Sequence, residues 1–551
     1  MGGSPSAGAP AARLRATCAG GEHCPRGDQK MHRNRRERQT PLHSILQSLS
    51  ASSGAPSNSV LLLATLALAA GAAFAAPAAA SSSDGASALQ MESFEKAWSL
   101  IDQRYWDPDF GGLDWQAVRE ELRPRAAEAR TNAELRDVLE EMISRLGQSH
   151  FGVIPSADSR DESVSDDGPE CSRELSQRVQ ELIAADGLEL QSAGPGFDFR
   201  FVEGEALVVQ VDDGGPAAQS GVAPGWGLHE VDGQSVEQIA GCLGASLEPR
   251  ALEALVYKVV SRLLLGDEDT TLRLRLVEPG EGGATVDHDL ALRRTIPADT
   301  KTVSFGNLPP MDFRFADALA PLPGWSDADG RALVLRFNVW MMPVAEAFEN
   351  ALLAALGGEE QVAGVVLDLR GNPGGVAGLS PGLAGYFVPT AESLGTLRYR
   401  QDTLHLRINP RLVSRSGERI EPYSGPLAIL IDQFSASTSE IFAAGLQDLG
   451  RAHVVGERSM GAALPAVIQE LPNGDFLMHA MADLERPGGG RVEGEGVEPD
   501  LEVPHTREGL RQGRDEPMEA ALRWIAEQAA ADGVESESDS ALGGDPEEER
   551  G

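Results

Sequence analysis

Cysteine is scarce in this chain, with four in 551 residues, too few for the disulfide framework of a small secreted domain. Cys18 and Cys24 fall in the N-terminal segment, which leaves Cys171 and Cys242 as the two that could pair in an oxidising compartment. No HExxH or CxxC spacing occurs, so metal chemistry is not expected, and no cofactor is implied. Basic residues are also outnumbered. The 47 Lys and Arg face 84 Asp and Glu, for a formal net charge of -37, which argues against nucleic acid and anionic membrane surfaces as partners. Lysine stops early: none follows Lys301. What remains is globular in character, with 41% hydrophobic and 24% charged residues, and long enough for several domains and a large core.

The first 82 residues read as an export segment. Arg33, Arg35, Arg36 and Arg38 precede the uncharged apolar run Val60 to Ala76, and small residues with Ala-x-Ala-like cleavage options follow near Ala80. The run is rich in Ala and Gly and short for a membrane span, so cleavage is expected, with no stable membrane insertion afterwards. The basic region lies far from Met1, and Met31 is an alternative start. The expected location is periplasmic or extracellular.

From residue 88 to 155 the pattern is helical, with Phe94, Trp98, Ile101 and Tyr105, then Leu135, Val138, Leu139 and Met142, at three- and four-residue steps. A polar loop follows over 158–171, and a short helix over 174–184. Residues 190–296 turn β-rich: Phe197 to Phe201 alternates, Ala206 to Val211 reads as a strand, and a helix from Arg250 to Leu265 leads into the strand Thr271 to Leu276. The order of strand, Pro216-Ala217 helix, glycine turn and Asp232-Gly233 turn resembles a PDZ domain. That resemblance implies peptide binding at the loop Gly194-Pro195-Gly196-Phe197, although Trp226 stands where such domains usually carry an aspartate.

Residues 300–510 alternate strands and helices, as in an α/β layer with mostly parallel strands. The segment 531–551 is acidic and poor in apolar residues, so it is expected to be disordered. Within the α/β layer, the strand Leu427 to Ile431 leads into Ser435-Ala436-Ser437-Thr438-Ser439, and a helical run begins at Glu440. Serines at that turn can cap the helix, or one of them can act as a nucleophile where orphan N–H groups and the helix dipole stabilise negative charge.

Three segments taken together decide between those readings. LDLRGNPGG ends a buried strand, FSASTSEIFAAGLQDLG spans the serine turn, and EGEGVEPD lies near the end. In this order they resemble the S41 peptidases, the C-terminal processing proteases and their tricorn-type branch. The resemblance implies an α/β, ClpP/crotonase-like catalytic core with a helical N-terminal domain and an inserted PDZ-like β domain. It implies Ser437 as nucleophile, with an oxyanion hole from Thr438 and from Gly374 or Gly375. The processing branch uses a lysine as base, but Ala462 stands at that position here. The tricorn-type branch implies His150 as base, Glu493 as its orienting carboxylate with Glu495 as a rival, and Ser149 as an auxiliary hydroxyl. The expected activity is that of an exported serine endopeptidase acting on unfolded or C-terminally recognised proteins. The alternative is a non-catalytic peptide- or ligand-binding protein on the same scaffold.

Overall fold

The structure, a computed structural model, describes residues 83–155, 193–243, 249–303, 311–326 and 330–542, together with 175, 178 and 179. The export segment, the loop expected over 158–171 and most of the helix expected over 174–184 lie outside the described residues. Residues 79–551 form one compact unit.

Three helices open it: α1 (Ser83–Arg104), α2 (Trp115–Glu128) and α3 (Asn132–Ser144). Each of the last two is started by a side chain that satisfies an orphan amide. Asp114 accepts from Ala117 N at 2.9 Å, and Thr131 and Glu134 form a reciprocal capping box. Their apolar stripes meet in a core of Phe94, Ile101, Leu122, Leu135 and Leu139. A short strand follows, β1 (Gly152–Ile154).

The second region is a six-stranded antiparallel sheet built on β2 (Phe197–Val202), β3 (Glu205–Val211), β4 (Gly227–Val231), β5 (Thr271–Pro279) and β6 (Thr285–Arg293), in that spatial order, with Gln234–Ser235 beside β4. Helix α4 (Pro249–Leu264) covers it, burying Val256, Val259, Val260 and Leu263 against Val208, Leu228, Leu274 and Leu276. Trp226 is buried there and stacks on His288 with ring centroids 4.5 Å apart. Cys242 is disulfide-bonded to a cysteine outside the described residues. Strand β2 is an edge strand.

The third region is a six-stranded sheet ordered β7 (Phe315–Pro321), β8 (Arg331–Phe337), β9 (Val362–Asp368), β12 (Leu427–Ile431), β13 (His453–Gly456) and β17 (Leu501–Glu502). Only the β7–β8 pair is antiparallel. Because side chains alternate along a strand, the two faces bury different sets. Leu335, Val365, Leu367 and Ile429 face a core with α5 (Pro343–Leu356) and α6 (Thr438–Asp448). Val366, Ala428, Leu430 and Val455 face α7 (Glu516–Leu542) through Ala521 and Ile525. The helix runs to Leu542, into the segment expected to be disordered from residue 531. Once a helix is nucleated on a packed apolar face, each further residue adds a hydrogen bond at little cost.

Two small sheets flank this layer. One is ordered β11 (Thr403–Arg407), β10 (Ser393–Tyr399), β16 (Ala482–Glu485). The other joins β1 to β15 (Phe476–Ala480) and β14 (Ala466–Glu470), with Gly152 opposite Met478. That antiparallel pairing fastens the end of the helical region to the C-terminal part of the chain.

Candidate active site

Strand β12 is buried along its whole length, and the chain turns through residues 432–436 before α6 starts at Thr438. Ser437 sits at the corner with φ 53° and ψ -116°, a conformation that costs a non-glycine residue about 1–3 kcal/mol and needs surrounding bonds to hold it. Those bonds are present. Its amide donates to Ala462 O at 2.8 Å and to Glu440 Oε2 at 2.9 Å.

Glu440 does more than favour the helix start. Fully buried, it also accepts from Ser459 Oγ at 2.5 Å, Gly461 N at 2.7 Å and Ala462 N at 3.0 Å. Burial pushes its carboxyl above the ordinary value, and these four donors oppose the rise. The sequence reading gave it only a helix-start role. The Ser437-x-x-Glu440 spacing of a capping box was the available sign, but its bonds to residues 459–462 are tertiary.

The facing side of the corner is built by the turn after β9. Arg370 pairs with Asp368 at 2.8 Å and with Asp515 at 2.7 Å, which anchors this loop. Burial would raise Asp368, yet the guanidiniums of Arg370 and Arg336 hold it well below the ordinary carboxylate range. Asn372 Oδ1 accepts the Gly374 amide at 3.0 Å. Gly374 lies so close to the corner that a Cβ there would stand 2.6 Å from Ser437 Cβ, and its φ of 100° also favours glycine. The Gly375 carbonyl accepts Thr438 Oγ1 at 2.9 Å. Among the described residues, neither the Gly375 nor the Thr438 amide donates a hydrogen bond.

Asp432 joins the two loops. Its Oδ1 accepts from Gly371 N at 2.8 Å and Phe434 N at 3.0 Å, while Oδ2 accepts from Arg200 Nε at 2.8 Å. Arg200, from β2, lies against the rings of Tyr257 and Phe434, its Cζ 5.3 and 5.0 Å from their centroids. The β2 sheet is thereby docked directly on the serine turn, a contact that the sequence reading missed because its residues are far apart along the chain.

His150 comes from the other end of the described chain, just before β1, with φ 60°. Its Nδ1 lies 2.7 Å from Ser149 Oγ, which donates to Glu493 Oε2 at 2.8 Å. Glu493 is buried and also accepts the amides of Ser149 at 2.7 Å and Ala463 at 2.9 Å. Glu493 therefore acts on the imidazole through Ser149. Glu495 is exposed. A hydroxyl has one proton to give; with that proton on Glu493, Ser149 Oγ accepts Nδ1–H, and Nε2 is left as the unprotonated nitrogen. Burial lowers the His150 pKa from its ordinary value, with the Glu493 charge opposing. No hydrogen bond joins His150 to Ser437 here. Their neighbourhoods are joined by adjacent amides: Ala462 N is held by Glu440 and Ala463 N by Glu493.

The expected peptide loop is partly committed. The Gly194 amide donates to Thr295 O at 3.0 Å and its carbonyl accepts from Thr295 N at 3.0 Å. Gly196, at φ 77°, and Phe197, the first residue of β2, lie beside it. Among the described residues no group of three or more His, Cys, Asp or Glu could hold a metal ion.

The comparisons with known proteins bear on this arrangement. Residues 332–503 match the model of peptidase family S41, and residues 89–144 match the tricorn protease C1 domain. The chain is a serine-type peptidase, similar over its α/β region to family S41. It is 25% identical over 423 residues to a chloroplastic C-terminal processing peptidase of Tetradesmus obliquus, covering 76% of this chain and 78% of that one. Over 411 residues it is 24% identical to the chloroplastic carboxyl-terminal-processing peptidase 3 of Arabidopsis thaliana, covering 74% and 67%. The peptidase shares its mixed α/β fold with mature CPAF, at a TM-score of 0.51 and 15% identity over 81% of this chain and 99% of that one.

Proposed function

We propose that this peptidase is an exported endopeptidase of the S41 type that cuts unfolded or C-terminally recognised proteins through Ser437, with His150 as base. The observation that carries the reading is the hydrogen-bonded series Glu493–Ser149–His150, which supplies an oriented base where the family's lysine position holds Ala462. In the mechanism, Ser437 Oγ attacks the scissile carbonyl and its proton passes to His150 Nε2. The imidazolium that forms keeps its Nδ1–H on Ser149 Oγ, and Glu493 stabilises the charge through that hydroxyl. The developing oxyanion faces the Thr438 and Gly375 amides, each worth about 3–4 kcal/mol in comparable sites. Gly374 contributes by its missing side chain, since its own amide is held by Asn372. His150 then gives its proton to the leaving amine, and a water activated by the same nitrogen releases the acyl group.

The β2–β6 region takes the part of a PDZ-like domain in this reading. An extended peptide adds to the free edge of β2, with its terminal carboxylate at Gly196 and Phe197. A non-cytosolic place of work fits the chloroplastic relatives and the disulfide at Cys242. No helix among the described residues is long and apolar enough to cross a membrane. The deciding experiment replaces Ser437 by Ala. Hydrolysis of an unfolded protein and labelling by a serine-directed fluorophosphonate should both disappear, while the thermal transition stays. Retained hydrolysis would overturn the assignment.

A further inference from the structure

The protein as a whole is strongly acidic, but one surface is not. Between residues 398 and 419 lie Arg398, Arg400, Arg407, Arg411, Arg415 and Arg419, against only Asp402 and Glu418. The fold puts this stretch on the outside. Strand β11 is the edge of its sheet, and the chain beyond it forms a second hairpin in which Val413 bridges to Arg419 and Ile420 N donates to Leu412 O at 3.1 Å. Arg407, Arg411, Arg415 and Arg419 are all exposed. Arg407 and Arg419 form no ion pair among the described residues, and Arg415 reaches Glu346 only at 3.6 Å between two exposed side chains.

The same stretch carries bare aliphatic side chains. Leu404, Leu412 and Val413 are 53%, 57% and 54% exposed. The backbone that presents them is anchored: Arg411 N donates to Gly385 O at 2.8 Å, and Arg415 N to the buried Glu349 Oε1 at 2.8 Å. These side chains are therefore held outward by a defined loop.

We propose that this surface, β11 with the 412–420 hairpin, docks the peptidase on a membrane rich in anionic phospholipid. Arginines spread over two hairpins suit a plane of phosphates, which they meet without a fixed register. Protruding Leu and Val tips suit the boundary between headgroup and acyl chain. A strand added to the β11 edge would leave the 412–413 tip uncovered, and an isologous second copy would set arginine against arginine. The surplus negative charge elsewhere on the chain is repelled by the same membrane, so the docked molecule has one orientation.

The test uses residues 79–551, a compact unit that contains every hydrophobic core described above. It is sedimented with vesicles of phosphatidylcholine alone or mixed with phosphatidylglycerol. Binding is expected only to the mixed vesicles and should weaken with salt. The pair R407E and R419E, or the milder R407Q and R419Q, should lower the partition at least about tenfold, and L412S with V413S should lower it as well. Hydrolysis of a soluble peptide should be unchanged in all variants, which reports an intact fold. Absence of wild-type binding to mixed vesicles, or equal binding by the arginine variants, overturns the proposal. So does a result in which vesicles are ignored and the arginine variants instead raise KM for an acidic polypeptide, which would make the occupant a protein.

Discussion

Replacing Ser149 by Ala removes a single hydroxyl and tests the relay directly. Glu493 keeps two of its three donors, the amides of Ser149 and Ala463, so the carboxylate stays in place. What is lost is the acceptor 2.7 Å from His150 Nδ1 and the donor 2.8 Å from Glu493 Oε2. A hydrogen bond to a charged group contributes about 1.5–3 kcal/mol, and here the full charge exists on the imidazole only after proton transfer. The loss therefore falls on the transition state, and kcat should drop about 10- to 100-fold with KM little changed. The pH profile gives a second readout. His150 acts as base only when neutral, so activity falls as pH falls through its pKa. Burial already lowers that pKa from 6.5, which puts the wild-type midpoint below 6.5. Without Ser149 Oγ the protonated form loses its acceptor, and the midpoint should move lower still, while Ser149→Thr should restore most of the rate. The assay is cleavage of a quenched fluorescent polypeptide between about pH 4 and 9. If Ser149→Ala keeps both the rate and the profile, the hydroxyl is not part of the base and the relay is refuted.

Gly374→Ala should cost at least about 100-fold in kcat, because its Cβ would press within 2.6 Å of Ser437 Cβ beside the oxyanion site; an active variant would show that the turn yields. His479 should make the fold acid-sensitive. It is fully buried, with Nε2 unpartnered, and burial lowers its pKa from 6.5 to about 4. The stability it carries in neutral form is whole above 6.5 and is lost as pH falls toward 4, by about 3 kcal/mol. His479→Leu should flatten that part of the stability curve measured by urea unfolding, and an unchanged slope would assign the acid sensitivity elsewhere. Arg200→Met should cost about 3–5 kcal/mol in the same assay, since it leaves the buried Asp432 carboxylate unpaired; a loss under 1 kcal/mol would mean that water or another donor takes its place.

Much of the layout was legible because it rests on local patterns. The alternation in Phe197–Val202 and the all-apolar strand Leu427–Ile431 fall close to where the sequence pattern put them. The candidate site was legible only through separated motifs and the resemblance they carry, since nothing local says that residues 150 and 493 meet. Bonds whose partners are distant stayed hidden, such as Glu440 to Ser459 and Arg200 to Asp432, as did the bond that links Ser149 to His150. The acidic end is the place where composition and the described helix point different ways. Its composition resembles a solvated tail, yet Ala521 and Ile525 upstream dock the helix that carries it.

The contact between Ser149 and Glu493 spans 344 positions of sequence, and β1 must find β15 for it to close. Contacts of such separation form late, because loop closure has to be completed first. A chain emerging residue by residue thus presents its nucleophile turn before it owns a working base. On the proposed mechanism, the unfolded stretches of a newborn molecule are then spared by their own neighbours of the same age.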